Sequence, residues 1–177
     1  MIHGTIDLLL ASPTSRYSGR PSDGPQPPHA PELFDRIDLR AGLGVVGDRY
    51  FNAPAHRRAS VTLFAVESLD EVRGMLGLTA PLDPALTRRN VITRGLDVDA
   101  LVGRRFSLDS GQGPVVLQGN RPAHPCAWMD EVLAPGAFKA LRRRGGVRCE
   151  PLSDGVLSLG PVTLELLEPV PAAATDV

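Results

Sequence analysis

Residues 58–66 read Arg-Ala-Ser-Val-Thr-Leu-Phe-Ala-Val, and Glu-Ser-Leu-Asp-Glu-Val-Arg-Gly-Met-Leu follows directly at 67–76. The first stretch alternates in part between polar and apolar residues, which predicts a β-strand. The second places Leu69, Val72 and Leu76 on one face at helical spacing, which predicts an amphipathic helix. The chain is therefore expected to pass directly from a strand into a helix at this point.

Short strand-like runs dominate the rest of the chain, and Gly, Pro, Asp and Asn separate them as in the turns of an all-β barrel or sandwich. A second helix is predicted at 135–144, which opens with Pro135 and ends in arginines and two glycines. Asp97 is expected to cap a short helical turn over 97–101. The predicted strands are 2–10, 37–46, 58–66, 90–93, 105–108, 115–118, 147–152, 156–159 and 162–167.

The 177 residues are expected to form a single domain over residues 1–170. Residues 12–35 are expected to form an irregular loop, because their first part is rich in Pro, Gly and Ser. A loop of this length in a compact domain is either a functional flap or locally disordered. Its Arg-Tyr-Ser-Gly-Arg stretch at 16–20 could reach over a site. Residues 171–177 are expected to form a flexible tail.

The charge balance argues against a nucleic-acid-binding or polybasic membrane-binding protein, because Lys+Arg and Asp+Glu number 19 and 20. Lys139 is the only lysine. Either a GC-rich genome or forked recognition of phosphate by guanidinium groups would explain this arginine bias. The N-terminus lacks the charged and apolar regions of a signal peptide, and no segment has the apolar length of a membrane span. We therefore expect a cytoplasmic protein whose two cysteines are free thiols.

Cys126 is the residue with the most evident chemistry, in the stretch Arg-Pro-Ala-His-Pro-Cys-Ala-Trp at 121–128. The thiolate is the reactive form of cysteine, and nearby positive charge favours it. Thiolate sulfur is a soft ligand, suited to molybdenum or to persulfide chemistry. Pro125 indicates a constrained turn; the alternative is that Cys126 is an inert buried residue. Cys149 lies in an alternating strand and is expected to be structural.

Five segments occur in an order that resembles one known family. They are Gly-Val-Val-Gly-Asp-Arg-Tyr at 44–50, Arg-Arg-Asn-Val-Ile-Thr-Arg-Gly at 88–95, Leu-Val-Gly-Arg-Arg-Phe at 101–106, Pro-Cys at 125–126 and Arg-Gly-Gly-Val-Arg at 144–148. The chain resembles the MOSC domain, which occurs at the C-terminus of molybdenum cofactor sulfurases and in small stand-alone bacterial proteins. The resemblance to the stand-alone type implies a mainly β fold, a MOSC-like β-barrel with a few short peripheral helices.

The resemblance also implies a molybdenum cofactor (molybdopterin) site, in which Cys126 is the catalytic residue and the ligand to the metal. It implies that Arg88 and Asn90 hold the pterin and its phosphate, which suits a forked guanidinium and an amide that donates and accepts. Arg121, close in sequence to Cys126, and Arg144, which adjoins a Gly-Gly turn, are further candidates for binding the cofactor. The other interpretations are a surface salt bridge for Arg88 and a turn or strand-entry role for Asn90.

Several other positions are expected to have a structural role or to lie away from the site. Asp48 and Arg49 are predicted to form a structural turn, and alternation along a strand would turn Arg89 away from the site. Trp128 is expected to be a core or pocket-wall residue. Ala123 replaces a second cysteine that many relatives carry, so a Cys-x-x-Cys disulfide mechanism is not expected. The N-terminal subdomain that completes the pterin site in larger relatives is not found in this sequence.

The sequence is compatible with three functions, and it does not decide whether the protein is an enzyme. In the first, the cofactor at Cys126 reduces a small N-hydroxylated substrate with electrons from a separate reductase. In the second, Cys126 carries a persulfide, received from a cysteine desulfurase, for metal-sulfur cluster or cofactor assembly. In the third, the barrel is a non-catalytic binding module. Pyridoxal phosphate, nucleic acid and membranes are not expected as partners.

Overall fold

A computed structural model describes residues 1–28 and 30–168, and the predicted tail at 171–177 lies outside them. Its strands are β1 (Ile2–Leu9), β2 (Arg36–Arg40), β3 (Gly44–Val45), β4 (Val61–Ala65), β5 (Val91–Arg94), β6 (Arg105–Asp109), β7 (Val115–Pro122), β8 (Val147–Pro151), β9 (Gly155–Ser158) and β10 (Gly160–Leu167). Seven of them close into a barrel in the order β1-β10-β6-β7-β8-β4-β5, and β3-β2-β9 form a small sheet. The mainly β fold, a barrel with few short helices, is confirmed.

The core of the barrel follows from the two-residue period of its strands. In β8, Val147 and Cys149 are fully buried, whereas Arg148 and Glu150 between and after them are partly exposed. The inward side chains of the other strands join the same apolar cluster. Burial raises the pKa of the Cys149 thiol above its ordinary value. Cys149 is therefore an uncharged part of the core.

Three short helices cover the outside of the barrel at the only parallel strand pair among the described residues, β4 and β5. They are α1 (Glu67–Met75), α2 (Trp128–Val132) and α3 (Ala137–Ala140). Every residue of β4 is buried, as expected of a strand that is covered on both faces. Phe64 and Ile92 of these strands point outward and join a second apolar cluster with Val72, Trp128 and Leu141. These helices and strands form the wall behind the candidate site.

Each predicted strand has a counterpart, with 37–46 divided into β2 and β3. The helix predicted at 67–76 is confirmed. The turn predicted over 97–101 is a 3-10 helix at Asp99–Leu101 whose N-cap residue is Val98 and not Asp97, although Asp97 Oδ1 accepts from the Ala100 amide at 3.3 Å. The helix predicted at 135–144 is correct only for α3, because Gly136 and Arg143 adopt left-handed conformations with φ of 93° and 68°. No helix was predicted at α2. Within the described residues, no helix has the length and apolarity to cross a membrane.

Candidate functional site

A cavity of about 220 Å³ lies where the 12–35 loop, the turn after β3, the residues before β5, the segment after β7 and β8 meet. We call it the Cys126 cavity. Its wall carries a thiol and several charged groups. These are Asp48, Arg49, Arg88, Arg89, Arg148 and the exposed Cys126. The fold thus brings four arginines from three distant parts of the sequence to one exposed thiol.

The backbone before Cys126 is held in place by Arg89. Its guanidinium donates hydrogen bonds to the carbonyls of Ala123 at 3.0 Å, His124 at 3.2 Å and Gly145 at 3.3 Å. The amide of Ala123 also donates to the carbonyl of Gly146 at 2.8 Å. A Cβ at Gly145 would lie 2.1 Å from the Ala123 carbonyl oxygen, so only glycine permits this approach. The Gly-Gly turn and Arg89 together fix the segment that presents the thiol.

Positively charged side chains outnumber negatively charged ones in the wall of the cavity, where four arginines lie with Asp48. Burial lowers the pKa of Arg89 to about 10, with a further contribution from the like charge of Arg148. Burial also lowers the pKa of Arg148, and Arg121 adds to the effect. A negative charge on Cys126 acts in the opposite direction on both arginines. An anionic sulfur or an anionic ligand would therefore relieve repulsion between these arginines.

Arg88 lines the cavity, but both terminal nitrogens of its guanidinium group are hydrogen-bonded to Glu32. Nη1 and Nη2 donate to the two carboxylate oxygens of Glu32 at 2.9 and 2.7 Å, and the two side chains are only 7% and 9% exposed. Burial alone would raise the pKa of Glu32, but hydrogen bonds from Arg88 and Ser12 outweigh it, and the pKa is lowered. This ion pair attaches the 12–35 loop, through Glu32, to Arg88 in the segment before β5.

Asn90 is buried, and its amide makes four hydrogen bonds within the protein. Its Oδ1 accepts from the amide and the hydroxyl of Thr62, each at 2.9 Å. Its Nδ2 donates to the Leu10 carbonyl at 3.0 Å and to Asp48 at 3.2 Å. Asp48 also accepts from the amide of Ser12 at 3.2 Å. These contacts occupy both donors and both acceptor positions of the Asn90 amide, so it joins β4, the end of β1 and the turn after β3 beneath the cavity.

The other two arginines proposed from sequence lie outside the cavity wall. Arg121 lines a neighbouring pocket and faces Arg148 across β7 and β8. Arg144 follows α3 and forms a salt bridge with Glu71 of α1. Its role there is to join two peripheral helices.

The 12–35 loop reaches over the cavity through Tyr17. The ring of Tyr17 stacks on Trp128 with a centroid distance of 5.0 Å and an interplanar angle of 11°. Its hydroxyl donates to the carbonyl of Leu86 at 2.5 Å. Burial, opposed by the charges of Arg88 and Arg16, raises its pKa to about 12. The loop is thus anchored over the site by an uncharged tyrosine.

Comparison with known proteins places this architecture in a family. The family model for the MOSC domain matches residues 46–162. The chain belongs to the MOSC domain family. The family is associated with molybdenum cofactor binding. No curated protein sequence matches the chain.

Solved structures with the same fold include several MOSC-like neighbours. The YuaD protein from Bacillus subtilis is 19% identical, with a TM-score of 0.68 over 94% of this chain and 98% of its own. YiiM from Escherichia coli is 17% identical, with a TM-score of 0.58 over 94% of this chain and 71% of its own. At these identities the similarity establishes the MOSC fold alone.

Three cavity residues of this MOSC domain were missed or misread in the sequence. Alternation predicted that Arg89 turns away, but Arg88 is left-handed with φ of 58° and β5 begins only at Val91. Arg49 was assigned to a structural turn, yet it lines the cavity and lies over the Tyr50 ring at 4.5 Å from its centroid. Arg148 was not predicted to lie at the site. Its outward position in an alternating strand was the one sequence signal that it could line the cavity.

Tyr17→Ala is expected to release the loop and to speed trypsin cleavage after Arg16 by about tenfold or more. The stacking and the hydrogen bond each contribute about 1 kcal/mol, and both are lost. Tyr17→Phe keeps the ring on Trp128 and should show a smaller increase. Cleavage is followed by mass spectrometry under native conditions. Equal rates in all three proteins would show that Tyr17 does not anchor the loop.

Proposed function

We propose that this MOSC protein binds the molybdenum cofactor in the Cys126 cavity and that Cys126 is the protein's ligand to the metal. The observation that carries the proposal is the exposed thiol beside Arg49 and Arg148 in one cavity. Within residues 1–28 and 30–168, neither arginine has a carboxylate within salt-bridge distance. A thiolate suits molybdenum, and free guanidinium forks suit a phosphate. The donor set therefore fits this cofactor.

Each group in the cavity has a proposed role. Arg49 and Arg148 bind the phosphate, and Arg89 keeps the Cys126 segment in place through its three carbonyl contacts. Tyr17 and Trp128 form an apolar wall that excludes water from one side of the site. When bound, the cofactor supplies a molybdenum centre that exchanges two electrons and one oxygen atom with a substrate.

The reaction we propose is reduction of a small N-hydroxylated compound to the amine, with two electrons and two protons consumed and one water released. A separate reductase delivers the electrons. His124 is exposed at the cavity wall, and an imidazole ring has nitrogens that can donate or accept a proton. It is the group that we propose to pass a proton to the departing oxygen.

The test is the molybdenum and pterin content of the protein expressed in a host that overproduces the cofactor. Near-stoichiometric amounts of both support the proposal and justify assays with N-hydroxylated substrates and a chemical electron donor. Protein that is folded but free of molybdenum and pterin under these conditions would contradict it.

Arg148→Gln is expected to weaken retention of the cofactor by about 10- to 100-fold, because hydrogen bonds to a charged group contribute about 1.5–3 kcal/mol. The measurement is molybdenum content during dialysis of the loaded protein. Arg36→Gln is the matched control, since Arg36 is exposed on β2 in the other sheet. Equal losses from both variants would exclude a specific role for Arg148.

A second function, sulfur transfer, is favoured by the burial of the other cysteine. Cys149 is fully buried, so its thiol is not placed to attack a persulfide on Cys126 and discharge it as a disulfide. In this function the Cys126 thiolate attacks the outer sulfur of a desulfurase persulfide. One S–S bond forms at Cys126 as the other breaks, and the desulfurase leaves as a thiolate. Mass spectrometry would detect one added sulfur atom on Cys126 that a reductant removes.

A further inference from the structure

Two arginines face each other on the outer surface of the barrel next to the Cys126 cavity. Arg121 of β7 and Arg148 of β8 are paired in register, after a bulge in β7. Directly opposed residues of antiparallel strands point to the same face, and like charges there are destabilising. Arg121 contributes to the lowered pKa of Arg148. The fold thus maintains a repulsive pair at the edge of its candidate site.

The positive charge continues beyond Arg121 into a separate concavity of about 350 Å³, which we call the Arg121 pocket. Arg57 and Arg58 line it together with Asn120. Arg58 donates to the Asn120 side chain at 3.1 Å, and Asn120 donates back to the Arg58 carbonyl at 2.9 Å. In the part of the chain that the structure describes, none of the three arginines has a carboxylate within salt-bridge distance.

We propose that the Arg121 pocket binds a second phosphate group of the ligand whose first phosphate lies at Arg148. The natural ligand is then a diphosphate-containing molecule, such as a nucleotide-extended form of the cofactor. The proposal rests on the proposed function for the occupant of the Cys126 cavity. Opposed residues on paired strands are about 5 Å apart, so neighbouring phosphates can engage Arg148 and Arg121 together.

The size of the Cys126 cavity supports a ligand that extends out of it. Typical small-molecule sites have volumes of about 300–1,000 Å³, whereas this cavity has about 220 Å³. A ligand of cofactor size must continue outside, and the row of arginines offers an anion-binding path. The Arg121 pocket is concave, and the net charge of the whole chain is −1. Both features favour a small phosphate group over a nucleic acid or a broad acidic protein surface.

The experiment compares pyrophosphate with orthophosphate by calorimetry on the purified protein at fixed ionic strength. We expect pyrophosphate to bind at least about tenfold more tightly, because a second charged contact contributes about 1.5–3 kcal/mol. The double variant Arg57→Gln/Arg121→Gln should lose this preference and keep its affinity for orthophosphate. Arg148→Gln should weaken both ligands, and Arg36→Gln should weaken neither.

Equal affinities for the two probes in the parent protein, or an unchanged preference in the double variant, would overturn the second phosphate site. Preferential binding of an acidic peptide that pyrophosphate does not displace would also overturn it in favour of a protein partner. The source of the diphosphate is identified separately. Nucleoside monophosphate set free by acid hydrolysis of the denatured, molybdenum-loaded protein indicates the extended cofactor. Tight binding of a free nucleoside diphosphate by protein that stays free of molybdenum in the cofactor-overproducing host retains the second site and rejects the proposed cofactor function.

Discussion

Cys126→Ser is expected to reduce the molybdenum content of the protein to below about a tenth of the parent value without unfolding it. A serine hydroxyl is a hard and protonated group at neutral pH and cannot replace a soft thiolate ligand. Cys126 is exposed, and surface substitutions usually change stability by less than about 0.5 kcal/mol. The melting temperature should therefore shift by no more than about 2 °C. Metal analysis and thermal unfolding on the same samples check both parts.

Cys149→Ala is the matched control, because it removes the other thiol of the chain. Cys149 is fully buried in the barrel core, so this variant should lose about 1–2 kcal/mol of stability and keep its molybdenum per folded molecule. Retention of the metal by folded Cys126→Ser would show that Cys126 is not its ligand. A parent protein with reductant-labile sulfur on Cys126 and no molybdenum would instead identify the sulfur carrier.

The fold was largely predictable because its strands are short, alternating and separated by turn residues, and because the helix after β4 has a clear apolar face. The helix α2 was not, because it has only five residues. Its first residue, Trp128, is ordered by stacking on Tyr17 from the distant 12–35 loop. A pattern confined to neighbouring residues contains no information on that contact.

The candidate site was predictable only in part, for the same physical reason. The sequence placed Arg88 and Asn90 at the site, and both line the cavity. It did not reveal that the guanidinium group of Arg88 is hydrogen-bonded to Glu32. Nor did it reveal that the side-chain amide of Asn90 is hydrogen-bonded to Thr62 and Asp48. These partners are remote in sequence, and residue type alone does not indicate which arginine remains free.

Arg88→Ala is expected to lower the free energy of unfolding by about 3 kcal/mol at neutral pH, because it leaves the carboxylate of Glu32 without its main partner. Both side chains are nearly buried. The double variant Arg88→Ala/Glu32→Gln should recover part of the loss, since a neutral amide needs no counter-charge. Urea unfolding of the parent and the variants measures these differences. Equal stability of parent and Arg88→Ala would exclude the structural role.

The pH dependence of stability provides an independent check on the same pair. The pKa of Glu32 is lowered in the folded protein relative to the ordinary value of 4.5. Its contribution to stability is therefore complete above about pH 4.5 and is lost as the pH falls through the lower folded pKa. Glu32→Gln should remove this part of the acid sensitivity.

If the double variant Arg88→Ala/Glu32→Gln regains stability and also retains molybdenum, Arg88 acts through Glu32. If it regains stability but loses molybdenum, Arg88 contacts the cofactor directly, as the family resemblance implies.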